Sequence, residues 1–196
     1  MQYVNMHDVV FDGEKMGFPS LMGCHGIVYA TEVGLYGYHN YGGSATAKFK
    51  IRAQLFADFV SSHFLHGAAG LHLYGCAFVG RRGYDPVAAD SWKAELKAFA
   101  KALGFKGQIS GYNLDAHPTW ASAYAEYRFH QGATSLYVED WAGKQAIWGT
   151  NTYRSNHRRI VDGVRNDAVV QTVEGVDDIV TGPAPLHLQA VVPQVF

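Results

Sequence analysis

The chain has 196 residues, 48% of them apolar and 17% charged, with 16 Lys and Arg against 17 Asp and Glu. That length and balance suit one domain over residues 1–196 with a sizeable core, and a net charge of −1 lacks the basic excess that general nucleic-acid binding needs. No run reaches the ~18 apolar residues of a membrane helix, and the opening segment with Asp8, Asp12 and Glu14 lacks a signal-peptide core; the expectation is a soluble protein made in the cytoplasm, exported only by a specialised system.

Taken in order, Tyr3-Val4 and Val9-Val10-Phe11 read as short strands. Ile27 to Tyr38 reads as a hairpin turning near Glu32-Val33-Gly34. Ser44 is a helix N-cap, and Ile51, Leu55, Phe56, Phe59, Val60 and Phe64 form an apolar stripe predicting a helix over Ala45–Leu65, with Lys48, Arg52 and Asp58 mostly off it. Leu71–Val79 is continuous enough for a buried strand. Asp85-Pro86 starts a second helix with Trp92, Leu96, Phe99 and Leu103 on one face, and Gly104 stops it. Strands follow at Gln108–Leu114, Tyr124–Phe129, Ser135–Trp141, Gln145–Thr150, Val169–Val173 and Leu186–Val192, with a short helix over Ser155–Gly163. The sum is an α+β fold: mixed or antiparallel sheets in a β-sandwich-like core, with two main helices packed outside.

There are two cysteines, Cys24 and Cys76, too few for a disulfide framework. Cys76 lies inside Leu73-Tyr74-Gly75-Cys76-Ala77-Phe78 and reads as core. Cys24 follows Gly23, and His39 ends the aromatic run Tyr36-Gly37-Tyr38. A thiol with the ordinary pKa of ~8.5 is only a few per cent thiolate at pH 7, and lowering it to ~6 raises that to roughly 90%. An imidazole that takes the thiol proton can return it to a leaving amine. A glycine ahead of the nucleophile permits a tight turn, and the N–H groups around Gly23 and Cys24 become candidate oxyanion donors.

Leu21-Met22-Gly23-Cys24, Ile27-Val28 and Tyr36-Gly37-Tyr38-His39 resemble the active-site hairpin of the cytotoxic necrotizing factor deamidases, and more loosely the bacterial chemoreceptor deamidases. The separation, 39 − 24 = 15 positions, is also that of the necrotizing factors. The resemblance covers Leu21–His39 and nothing after Gly42. It implies a protein glutamine deamidase, or a transglutaminase-like variant, in which Cys24 is nucleophile, His39 is base and then acid, and a thioester is the intermediate. It further implies a bacterial effector or toxin acting on a folded host or target-cell protein, with no metal or organic cofactor. The chemoreceptor branch orients its histidine with a Thr six positions before the Cys; here that position is Phe18. The necrotizing factors use a backbone carbonyl well upstream, whereas only 23 residues precede Cys24. The third member is therefore unassigned, with Ser20 the nearest hydroxyl. Aromatic hairpin residues such as Tyr36, Tyr38 and Tyr41 would suit the substrate interface.

Hairpin register sets a geometric condition. A turn at Val33-Gly34 would place His39 opposite Val28, ~13 Å along the strand from Cys24. A turn at Thr31-Glu32 would place it opposite Cys24 itself, so the pair needs an early turn or a bend at Gly23 or Gly26.

Other readings stay open. His63, His66 and His72 have the spacing to seed a metal site, but no carboxylate or Cys completes it. Asp115 and Glu139-Asp140 are candidate orienting carboxylates, and Arg154, His157, Arg158, Arg159 and Arg165 form a basic patch. The alternatives to a deamidase are a cysteine peptidase or amidase using Cys24 or Cys76 with His117 or His130, and a non-enzymatic immunity or adaptor module with both thiols in the core.

Overall fold

The computed structural model describes residues 1–41, 46–63, 68–81, 91–141, 147–152, 157–162, 168–172, 176–181 and 187–196. Its strands are β1 (Gln2–Tyr3), β2 (Asp8–Asp12), β3 (Lys15–Leu21), β4 (His25–Thr31), β5 (Gly34–Asn40), β6 (Gly70–Ala77), β7 (Gln108–Asn113), β8 (Ala123–His130), β9 (Ala133–Asp140), β10 (Ile147–Thr152), β11 (His157–Asp162), β12 (Ala168–Thr172), β13 (Val176–Thr181), β14 (Gln189–Val191) and β15 (Gln194–Val195). Its helices are α1 (Thr46–His63) and α2 (Ser91–Ala102).

An eight-stranded sheet runs β12-β11-β2-β5-β4-β6-β7-β15, a five-stranded one runs β1-β3-β8-β9-β14, and β10 pairs with β13. Pairing is antiparallel except for β6 with β7 and β1 with β3. The β6–α2–β7 unit is a crossover, since parallel neighbours cannot be joined by a tight turn.

Period-2 alternation gives the large sheet two apolar faces. Val28, Ala30 and Cys76 point to the small sheet and meet Met16, Phe18, Leu21, Tyr127 and Val138. Ile27, Tyr29, Tyr36 and Tyr38 point the other way, under Phe56 and Phe59 of α1 and Leu96 and Phe99 of α2. The layers are helices, large sheet and small sheet, which is the expected α+β arrangement with both helices outside the paired sheets.

Several elements differ from the sequence reading. The predicted helix at Ser155–Gly163 is strand β11 over residues 157–162. There Arg158 pairs with both Val9 and Thr172, so two ladders satisfy the backbone that a lone helical turn would have satisfied by itself. The sequence pattern does not mark strand β3, because Gly17 and Pro19 interrupt it. A register shift between Phe18 and Leu21, with Ser20 at φ 56°, accommodates the proline. The expected caps at Ser44 and Asp85-Pro86, along with Phe64, His66, Arg154 and Arg165, lie outside the described residues.

Tyr127 is packed edge-on to Phe18 between the sheets, and its hydroxyl is buried with no hydrogen-bond partner among the described residues. Burial first, then Cys76 and Tyr74, raise the pKa of this phenol, so it stays neutral. Tyr127→Phe removes an unsatisfied hydroxyl and leaves the ring in place. The expected outcome in thermal or urea unfolding is unchanged stability or a gain of up to about 1 kcal/mol, and a clear loss would show that the hydroxyl is bonded in solution.

Candidate active site

Hairpin register decides whether Cys24 and His39 can meet. The β4–β5 loop is the two-residue Glu32-Val33, and the ladder runs from Thr31 opposite Gly34 to His25 opposite Asn40. Thr31 Oγ1 accepts from the Val33 N–H at 3.4 Å and donates to the Gly34 carbonyl at 3.0 Å, closing the loop with its own side chain. Gly34 has φ 143°, and a Cβ there would lie 2.7 Å from the Asp12 carbonyl oxygen, so glycine is required.

The resulting register falls between the two considered from sequence and puts His39 opposite Gly26. Gly26 and the residue two before it, Cys24, share one side of the strand. Cys24 immediately precedes β4, and His39 sits opposite Gly26, so the two residues share one sheet face at the strand ends. Gly26 is the strand position between them, and its missing Cβ leaves room for Phe18. A Cβ there would be 3.3 Å from the Phe18 ring, which fills the opening and lies 6.0 Å from the His39 ring. Both residues are buried between the sheets, Cys24 with 6% of its surface exposed and His39 with 2%.

The group that orients His39 comes from the N-terminus. His39 Nδ1 lies 2.8 Å from the Val4 carbonyl oxygen. A carbonyl only accepts, so Nδ1 carries the proton and the basic lone pair sits on Nε2. Val4 is itself fixed, since its N–H donates to the Gly17 carbonyl at 2.8 Å. The His7 N–H donates to the His39 carbonyl at 2.9 Å, so this strap holds both ring and backbone. Ser20, the hydroxyl considered for this role, is exposed at the β3 bulge, and Phe18 supplies only a ring face. Neither Asp115 nor Glu139 is needed at Nδ1. No sequence signal marks Val4, because any residue carries a carbonyl.

Gly23 has open surroundings, the nearest atom to a Cβ there being the Arg81 carbonyl oxygen at 3.7 Å, and Met22 before it is 54% exposed. Of the aromatic residues expected at an interface, only Tyr41 is exposed. Tyr36 and Tyr38 point away from Cys24 and pack under the helices, Tyr36 edge-on to Phe59 and Tyr38 against Phe56 and Phe99, because they occupy the opposite parity of β5.

The other side of the same strand ends carries a buried polar network that sequence reading missed. His25, beside Cys24, faces the helices, with Nδ1 3.2 Å from Glu95 Oε2. Asn40, beside His39, donates from Nδ2 to Glu95 Oε1 and accepts from Arg52 at 3.0 Å. Arg52 also donates to the Tyr41 carbonyl at 2.8 Å. All four side chains are buried. Arg52, read as lying mostly off the α1 core stripe, is therefore inside it, while Ile51 is exposed.

Cys76 lies opposite Gly26 on β6, so it joins the same sheet face, but burial alone raises its pKa and keeps it a thiol. His117 accepts or donates at 2.9 Å with the Tyr112 hydroxyl and stacks on Trp120, and burial lowers its pKa. His130 is exposed at the β8–β9 turn. His72 pairs with Ser110 Oγ at 2.7 Å, and among the described residues no three His, Cys, Asp or Glu side chains converge as metal ligands. A cleft of about 400 Å³ at the end of β7, lined by Trp92, Asn113, Asp115 and Gln194, includes neither Cys24 nor His39. Among the described residues no helix is long and apolar enough to cross a membrane. No protein-family model and no curated protein matches the chain.

Proposed function

We propose that this chain is a protein glutamine deamidase working through Cys24 and His39, delivered as an effector or toxin onto a folded target protein. The observation that carries the reading is the His39 Nδ1–Val4 carbonyl bond, which leaves Nε2 as the basic nitrogen on the sheet face it shares with Cys24. His39 Nε2 takes the thiol proton, and the sulfur attacks the glutamine carboxamide carbon. The C–N bond then breaks as Nε2–H protonates the departing ammonia, leaving a thioester. Water, deprotonated by the same nitrogen, attacks the thioester and gives glutamate and the free thiol; an amine in place of water gives a cross-link. Backbone N–H groups at Gly23 and Cys24 are the candidates to hold the intermediate oxyanion. Around the pair, Met22 and Tyr41 are both about half exposed at 54% and 50%, and such adaptable apolar and aromatic groups suit a protein surface.

The test is iodoacetamide treatment of the folded protein followed by peptide mapping. The expected result is modification of Cys24 with Cys76 protected. Neither thiol reacting would replace this reading with that of a non-enzymatic binding module.

A further inference from the structure

Asn5 buries an entire side-chain amide, Nδ2 and Oδ1 alike, that finds no hydrogen-bond partner among the described residues, and the residue is only 6% exposed. Native structures seldom leave such a group unsatisfied unless an ordered water, a ligand or a function accounts for it. Its place in the chain is informative. The Val4 carbonyl, one peptide before it, receives His39 Nδ1 at 2.8 Å, and trans-peptide geometry then puts the Asn5 Cα within about 6 Å of that nitrogen. The Asn5 carbonyl accepts from the Asp8 N–H at 2.8 Å, and His7 donates to the His39 carbonyl at 2.9 Å. Asn5 is thereby clamped between two bonds to the imidazole residue.

A carboxamide offers one acceptor oxygen and N–H donors, the same set as Asn5, so two such amides close a reciprocal pair. We propose that Asn5 is the specificity residue that receives the substrate carboxamide beside Cys24 and His39, an inference that rests on the deamidase reading. Its Nδ2–H donates to the carboxamide oxygen and strengthens as that oxygen gains charge. Its Oδ1 accepts one substrate N–H. A glutamate side chain has no N–H to give and turns an anionic oxygen toward Oδ1, so carboxylates are rejected and the product is released.

The experiment compares alkylation of Cys24 by chloroacetamide and by chloroacetate, which differ only in amide against carboxylate, in the folded full chain and in Asn5→Leu and Asn5→Ala. The amide-to-acid rate ratio is expected to fall about tenfold in both variants. Asn5→Leu is expected to melt no lower than the parent, because it removes unsatisfied polar atoms. An unchanged ratio with Cys24 still reactive, or a marked loss of stability in Asn5→Leu, would overturn the role of Asn5 alone. Cys24 inert to both reagents in the parent would overturn the deamidase reading itself.

Discussion

His39→Gln is expected to lower the proposed glutamine deamidation by about a thousandfold or more, since in that reaction one group would serve as base in both acylation and deacylation and as acid toward ammonia. Glutamine is close in volume to histidine, and its amide N–H can still donate to the Val4 carbonyl, so the strap that holds His39 Nδ1 at 2.8 Å persists. What is lost is a titrating nitrogen on the Cys24 face. Cys24 alkylation, which needs no knowledge of the substrate, reports this directly. Its rate at neutral pH should drop about tenfold or more, because an unassisted thiol is only a few per cent ionised there. Cys24→Ser should abolish turnover with the fold intact, whereas Cys76→Ala should leave it. An unaltered pH profile in His39→Gln would remove His39 from the chemistry.

Glu95→Ala is expected to cost roughly 3–5 kcal/mol, the usual penalty for removing one partner from a buried ionic cluster. Glu95 bonds to His25 Nδ1 at 3.2 Å and to the Asn40 amide, and Asn40 in turn accepts from Arg52 at 3.0 Å. Its loss leaves the buried Arg52 cation without that carboxylate in the cluster. In a domain of this size the melting temperature should fall by roughly 10 °C. Combining Glu95→Leu with Arg52→Met should recover part of it, as buried ionic groups replaced together by apolar ones often do. A shift below about 0.5 kcal/mol for Glu95→Ala would mean that the network contributes little. Because His25 and Asn40 adjoin Cys24 and His39 in the chain and face each other across β4 and β5, this cluster also holds the strand ends that carry the pair.

The legible parts of the molecule are those whose side chains repeat with a period. The α2 face of Trp92, Leu96 and Phe99 is buried as expected, and so is the β6 run around Cys76. Strand β3 was illegible because Gly17 and Pro19 break the alternation, and its partner β8 lies more than a hundred residues away in sequence. The Ser155–Gly163 segment looks helical in sequence because its strand form depends on β2 and β12, neither adjacent to it in the way a helical turn is adjacent to itself. Tyr36 and Tyr38, expected at an interface, have the opposite parity to His39 on β5 and so are buried under the helices.

By itself the sequence determined the residue types of the candidate site and their separation: a thiol after a glycine, an imidazole fifteen positions on, and a hairpin between them. Those are local properties, set by chain chemistry and turn composition. Only the tertiary structure decided the register that brings Cys24 and His39 to one face, through the Thr31 side chain and the close approach of the Asp12 carbonyl that only glycine at position 34 permits. It also chose the third member, a main-chain carbonyl at Val4 that reaches His39 because β1 lies alongside β3. A backbone acceptor is identical in every residue, so only the packing of distant strands can select which one the imidazole meets.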